Sequence, residues 1–161
     1  MKNAVTDDRF RLMGTGRYWQ DLAVGPVERT LRRTITETDL INFISVTGML
    51  EAIFIDADCP FAAIPGRIVP AALTQALIEG MLFQTLIQGV GLALLEINTK
   101  ALRPVFVGDS VWATVETLGI RPTSQHNRAV VASEVLVQNQ RDESVLSYQV
   151  KRLVAGRAEA R

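Results

Sequence analysis

This chain of 161 residues contains one cysteine and one histidine, and that scarcity removes several chemistries at once. A lone Cys59 excludes an internal disulfide and a cluster of thiolate ligands, and it fits a reducing compartment. As a small apolar side chain, Cys59 is expected to be partly buried. His126 sits in the turn Ser124-Gln125-His126-Asn127 with no second histidine or carboxylate at ligand spacing. An exposed hairpin residue is expected there, and no metal site. Excess charge of either sign is also missing, since basic and acidic residues number seventeen each. Nothing in that balance provides an electrostatic footprint for nucleic acid or anionic membrane, so neither is expected as a partner.

Long hydrophobic runs are absent too. The most apolar stretch, Ile68 to Leu95, is broken by Gln75, Glu79, Gln84 and Gln88, which argues against a membrane span and for a helix buried in protein. The opening segment MKNAVTDDRFRLMGTG has no apolar h-region and carries two adjacent aspartates, so a cytoplasmic location without a secretory signal is expected. No repeat or low-complexity linker interrupts the rest. What is present is a chain with 48% apolar residues, enough for one domain that buries roughly 70% of its unfolded surface.

The order of elements is legible. Residues 1–16 are polar and glycine-broken and read as a flexible arm, residues 17–157 as a single domain, and residues 158–161 as a tail. After Gly25-Pro26, VERTLRRTIT predicts a strand and TETDLINFISVTG a short helix. Thr36 with Asp39 three residues on forms a capping signature, Leu40, Ile41, Ile44 and Thr47 share a face, and Gly48 suits the C-terminal stop. A loop from Met49 to Val69 leads to Pro70, which fits the first position of a helix running to about Gln88. That helix is apolar on most sides, as a helix wrapped by other elements should be. Gly80 in its middle costs about 1 kcal/mol relative to Ala, which predicts close approach of sheet backbone there.

The remaining segments, LALLEINTKALRP, SVWATVETLGI, RAVVASEVLVQN and SVLSYQVKRLVA, read as strands separated by turn signals at Gly108-Asp109, Arg121 to Asn127 and Asn139 to Glu143. Leu146, Tyr148, Val150 and Val154 alternate with Ser147, Gln149 and Lys151, as in a half-solvated antiparallel strand. One buried helix between an early strand and a four-strand meander predicts an α+β domain with an antiparallel sheet curled around that helix.

Four blocks carry a resemblance to a known family. TITETDLINFISVTG matches a T-V-T-x-x-D-I-x-x-F-x-x-x-T-G pattern. IPGRIVPAALTQALIEG resembles a stretch leading into a central helix, RPVFVGDSVWATVETLGIRPTS a P-V-x-x-G-D block with its following strand, and VLVQNQRDESV a closing hairpin. In order and spacing these resemble the MaoC-like R-specific enoyl-CoA hydratases of the hotdog superfamily, over roughly residues 17–157. The resemblance implies a hotdog fold and a hydratase or dehydratase acting on an acyl-CoA or related acyl thioester. Coenzyme A would enter as part of the substrate, with no separate cofactor. It also implies at least a homodimer, with a hetero-oligomer as the alternative.

Family chemistry adds water across a trans-2-enoyl thioester or removes it. A base must activate water, an acid must supply the α-proton, and hydrogen-bond donors must hold the enolate oxygen. In the family pattern T-G-D-x-N-P-x-H-x-D, Asp and His share the proton work. Aligned with TGMLEAIFIDAD, the Asp becomes Met49 and the His becomes Phe54, while the final Asp persists as Asp56. Neither Met nor Phe can move a proton, so both are expected as pocket wall. Glu51 is the one ionisable residue inside the substituted stretch. Flanked by Leu50, Ala52, Ile53, Phe54 and Ile55, it is expected to be desolvated and so suited to acid or base work. The plain alternative is a salt-bridged or solvated loop carboxylate.

Asp56 is a weaker catalytic candidate against a cap or turn role, and Asp109 weaker still in its Gly-Asp reversal. No capping side chain precedes the second helix, so the N–H groups of Ala71, Ala72 and Leu73 are expected to be free to hold a thioester carbonyl, unless loop carbonyls or water cap them. Hotdog thioesterases offer a third comparison, since several use a carboxylate on the central helix. Glu79 lies near that height but one residue out of register, which turns a side chain by about 100°. A buried, paired structural carboxylate is the competing account of it. Three readings stand: a hydratase or dehydratase with a non-standard site, a catalytically inactive acyl-CoA-binding or partner subunit, and an acyl-CoA thioesterase. For coenzyme A phosphates, Lys100, Arg103, Arg121 and Arg128 are all eligible, and the sequence does not rank them.

Overall fold

A computed structural model describes residues 14–157. Two short strands, β1 (Val27–Arg29) and β2 (Arg33–Thr34), precede helix α1 (Glu37–Thr47). A four-residue helix α2 (Ala52–Ile55) and the central helix α3 (Ala71–Phe83) follow. The chain closes with β3 (Gly91–Ala101), β4 (Ser110–Pro122), β5 (Arg128–Asn139) and β6 (Ser144–Ala155). The sheet is antiparallel with order β1-β4-β5-β6-β3, and β2 also pairs with β4. It curls around α3 in the hotdog arrangement.

The boundaries of α1 follow from its ends. The Asp39 backbone N–H donates to Thr36 Oγ1, and the Thr36 N–H donates back to the Asp39 carboxylate, so two of the helix's unpaired donors are satisfied reciprocally. At the other end Gly48 takes the left-handed conformation, φ 72°, that stops the helix. Partial burial pushes the Asp39 carboxyl up, but the hydrogen bonds from Thr36 and the charge of Arg33 outweigh it and hold it below its ordinary value.

The early strand expected as one piece is two. The Thr30 N–H donates to the Ala113 carbonyl, while the Ala113 N–H donates to Thr30 Oγ1 instead of a backbone carbonyl. That substitution interrupts the ladder at Thr30, and Leu31 is left exposed. The guanidinium groups of Arg29 and Arg32 lie 5.1 and 4.1 Å from the ring centroid of Trp112 on the outer face of β4. Covered in this way, Trp112 is buried although its strand neighbours Thr114 and Glu116 are only half-buried.

Leu73, Ile78 and Leu82 of α3 and Leu40 and Ile44 of α1 pack on Val111, Ala113, Val115, Val135, Val137, Leu146, Tyr148 and Val150 of the sheet. Each such side chain contributes roughly 1.5–3 kcal/mol by leaving water. The helix is shorter than expected and is not enclosed on all sides. Pro70 is its N-cap instead of its first helical residue, and it ends at Phe83. There the Thr85 hydroxyl donates to the Met81 carbonyl and the Ile87 N–H to that of Leu82, turning the chain toward β3. Ala72, Ala76 and Phe83 are exposed. The expected close approach at Gly80 is not found, since a Cβ there would meet nothing within 4 Å.

Close approach occurs at Gly16 instead. Its N–H donates to the Gln88 carbonyl, and a Cβ would lie 2.5 Å from the Leu86 carbonyl oxygen. Gly16, the last residue of the expected flexible arm, is thus tied to the loop after α3, while residues 1–13 and the tail 158–161 fall outside the described residues. Among the described residues no helix is long and apolar enough to cross a membrane.

Candidate active site

The αL turn at Gly48 throws the chain off α1 toward the N-terminus of α3. The Leu50 N–H donates to the Gly48 carbonyl, tightening that turn, and Glu51 then caps the short helix α2 without a side-chain hydrogen bond. Arg67 fixes this segment in place: one guanidinium nitrogen donates to the Phe54 carbonyl at 2.6 Å, and the other forms an ion pair with Glu37 at the start of α1. The Phe54 side chain packs against the main core. A cleft of about 510 Å³ results, with Gly48, Met49, Leu50, Glu51 and Phe54 on one wall and Pro70, Ala71 and Ala72 on the other.

The structure brings together most of the residues singled out in the sequence. Met49, Glu51 and Phe54 all face Ala71 and Ala72 across the cleft. Ala71 and Ala72 offer backbone N–H groups that have no acceptor among the described residues. Leu73 does not belong with them. Its N–H donates to the Pro70 carbonyl at 2.9 Å and its side chain is buried in the core, so the available donors narrow to two. The expected desolvation of Glu51 is also absent. In the single chain Glu51 is exposed at the rim of the cleft, because α2 turns Ile53 and Phe54 partly inward and leaves its N-cap Glu51 and first residue Ala52 outside.

Asp56 stands apart from the cleft walls. It ends α2, and its Oδ1 accepts from the Asp58 N–H at 2.9 Å in a local turn. Asp109 is a buried structural acceptor, taking hydrogen bonds from the Phe106 N–H, from Gln140 and from Arg141, and so ties the loop before β4 to the β5–β6 turn. His126 has φ 66° in the exposed β4–β5 turn. Arg121 and Arg128 lie at that same hairpin and Lys100 on β3, while Arg103 alone of the four lines a cavity beside the α3 N-terminus. No group of three metal-ligating side chains converges among the described residues.

Glu79 is engaged. Arg152 reaches both of its carboxylate oxygens, at 2.5 and 2.6 Å, and the Tyr148 hydroxyl donates to Oε1 at 2.7 Å. Burial, and then the neighbouring Glu79 charge, push the Tyr148 phenol well up from its ordinary value, so it stays protonated as a donor. With its oxygens held in this way, Glu79 ties α3 to β6. Three residues with no motif of their own also matter: Arg67, Arg152 and Thr74. Only Arg152 left a signal, since the inward alternation of β6 places it on the buried face.

A family model for the MaoC like domain matches residues 21–139. No functionally curated protein matches significantly. Among solved structures, one described as a monoamine oxidase regulatory protein from Archaeoglobus fulgius is 25% identical, covers 91% of this chain and 100% of its own, and superposes with a TM-score of 0.79. A putative MaoC domain dehydratase from Chloroflexus aurantiacus is 24% identical over 94% of this chain and 44% of its own, TM-score 0.83. An R-hydratase from Pseudomonas aeruginosa is 24% identical over 89% of this chain and 91% of its own, TM-score 0.70. These two show the fold alone, but the family model spans most of the chain, including the cleft segment and α3. The chain belongs to the MaoC-like domain family, with its hotdog fold.

Proposed function

We propose that this chain binds an acyl-CoA or related acyl thioester in the cleft over the α3 N-terminus and acts there as a hydratase or dehydratase with a non-standard site. One observation carries the reading: the unpaired N–H groups of Ala71 and Ala72, at the positive end of a thirteen-residue helix, line a largely apolar cleft. Donors so placed suit a thioester carbonyl, whose oxygen gains negative charge as the enolate forms. Among the described residues Glu51 is the only ionisable side chain in the walls. In this mechanism its carboxylate takes a proton from water as the water oxygen bonds to Cβ. The C=C electron pair moves toward Cα and the carbonyl oxygen held by Ala71 and Ala72, and the protonated Glu51 returns the proton to Cα. Dehydration is the reverse.

The exposure of Glu51 favours a second reading, in which the chain binds the thioester without turning it over or partners an active subunit. A thioesterase reading rests on Glu79, whose oxygens Arg152 and Tyr148 occupy.

A homodimer belongs to the same proposal. Strand β3 is an eleven-residue edge strand, hydrogen-bonded on one side only, with Leu92, Leu94 and Leu95 each more than half exposed. Such an edge suits two-fold pairing with the same strand of a second copy.

The decisive experiment gives the purified protein trans-2-enoyl-CoA and 3-hydroxyacyl-CoA substrates of several lengths. Turnover reduced about 10²-fold or more in Glu51→Gln supports the mechanism. Tight binding without turnover favours the binding-module reading, release of free thiol favours a thioesterase, and undiminished hydration by the Glu51→Gln variant removes Glu51 from the chemistry.

A further inference from the structure

A second cleft, of about 360 Å³, lies on the far side of the α3 N-terminus, and Ala71 belongs to the walls of both. Among the described residues its lining is apolar apart from Thr74 and Arg103, with no acidic residue. Thr74 is fully buried, and its Oγ1 has no hydrogen-bond partner among the described residues. Threonines at the ends of the other helical turns behave differently. The hydroxyls of Thr47 and Thr85 donate back to the carbonyls of Phe43 and Met81, four residues earlier. The equivalent acceptor for Thr74 is the Pro70 carbonyl, which already receives the N–H groups of Leu73 and Thr74. The hydroxyl is therefore an orphan, and an orphaned buried donor is costly unless something else pairs with it.

Arg103 sits at the same cleft. One guanidinium nitrogen donates to the Ser144 carbonyl at 3.1 Å, and Arg103 forms no ion pair among the described residues. Among the described residues the walls of the cleft hold a helix N-terminus, an arginine and a hydroxyl free to donate, with no carboxylate; Glu143, in the β5–β6 turn outside the walls, lies close enough for its charge to interact with Arg103.

We propose that this cleft receives the acyl end of a thioester whose short acyl chain terminates in a carboxylate. The Thr74 hydroxyl donates to that carboxylate and Arg103 balances its charge, so Thr74 is a specificity-determining residue. The inference rests on the thioester reading above, and adds to it the class of substrate: the monothioester of a short dicarboxylic acid.

The test is calorimetric titration of the full chain with two four-carbon esters, butyryl-CoA and succinyl-CoA. The wild type binds succinyl-CoA at least about tenfold more tightly, as a charge-assisted hydrogen bond in an apolar cleft requires. Thr74→Val, close to it in shape, loses that preference while binding butyryl-CoA within about twofold of wild type; Thr74→Ser keeps the preference, and Arg103→Gln weakens succinyl-CoA alone. Equal affinity of the wild type for the two esters, or a preference that survives in Thr74→Val, overturns the inference and leaves the thioester reading standing. Failure of both esters to bind overturns both, and failure of succinyl-CoA alone overturns this inference only.

Discussion

Removing the arginine from the pair that ties α3 to β6 should reveal how much of this fold depends on a buried charge. Arg152 is buried and the Glu79 side chain is 17% exposed. Arg152→Met leaves the Glu79 carboxylate in a largely apolar setting with only the Tyr148 hydroxyl. Breaking a buried pair from one side typically costs about 3–5 kcal/mol, and the residual exposure of Glu79 places the cost here near ~3 kcal/mol. For a domain of this size that lowers Tm by roughly 6–12 °C. Tyr148→Phe removes one hydrogen bond to a charged group and should cost less, about 1.5–3 kcal/mol. The triple variant Glu79→Leu, Tyr148→Phe, Arg152→Met removes both charges and the hydroxyl that would otherwise be left without an acceptor. It should lie within about 1 kcal/mol of wild type, well short of the sum of the single losses. Urea unfolding at one fixed protein concentration measures all four proteins, since assembly would make stability depend on concentration. A loss below about 1 kcal/mol in Arg152→Met, or a triple variant that loses the sum of the Arg152→Met and Tyr148→Phe singles, would refute the reasoning.

Three further outcomes follow from the same structure. Ala71→Pro removes one N–H from the cleft at a helical position where proline is tolerated, and Pro70, at ψ 134°, already has the extended backbone that must precede a proline. The variant should unfold within about 1 kcal/mol of wild type yet lose about 10²–10³-fold in any turnover, measured on the same enoyl-CoA substrates. Asp39→Asn should cost about 1 kcal/mol at neutral pH by weakening the α1 capping box. Because the folded Asp39 value is depressed, its stabilisation is present above about pH 4 and disappears as pH falls through the lower folded value, so unfolding curves of the two proteins should converge in acid. Leu94→Lys places a charge on the exposed β3 edge and should shift the protein to monomer in light scattering; an unchanged dimer would remove β3 from the interface.

The sequence was informative where a local rule had no competitor. Thr36, Asp39 and Gly48 bounded α1 because capping and the αL stop involve only neighbouring residues. Apolar segments between turn signals located β3 to β6, and on β6 the alternation running through Leu146, Tyr148, Val150 and Val154 has Arg152 at an inward position that the sequence reading did not use. Local rules were less informative where a distant partner decided the outcome. The break at Thr30 depends on Ala113, and the early end of α3 depends on how the chain turns into β3. Glu51 shows the same limit from the other side: apolar neighbours in sequence suggested a buried carboxylate, but α2 turns only Ile53 and Phe54 partly inward and leaves Leu50, Ile55 and Glu51 exposed.

By itself, then, the sequence determined the hotdog class, the order of its elements and the small group of residues around the α3 N-terminus, since periodicity, capping and motif order are all written along the chain. Tertiary structure decided which of those residues share a cleft, that Leu73 donates to Pro70 while Ala71 and Ala72 remain free, and that Glu79 is held by Arg152 and Tyr148. It also left the Thr74 hydroxyl without a partner among the described residues, while the Pro70 carbonyl four residues earlier accepts two backbone N–H groups. Hydrogen-bond competition and burial depend on groups far apart in the chain, and they acquire values only once the sheet has curled around the helix.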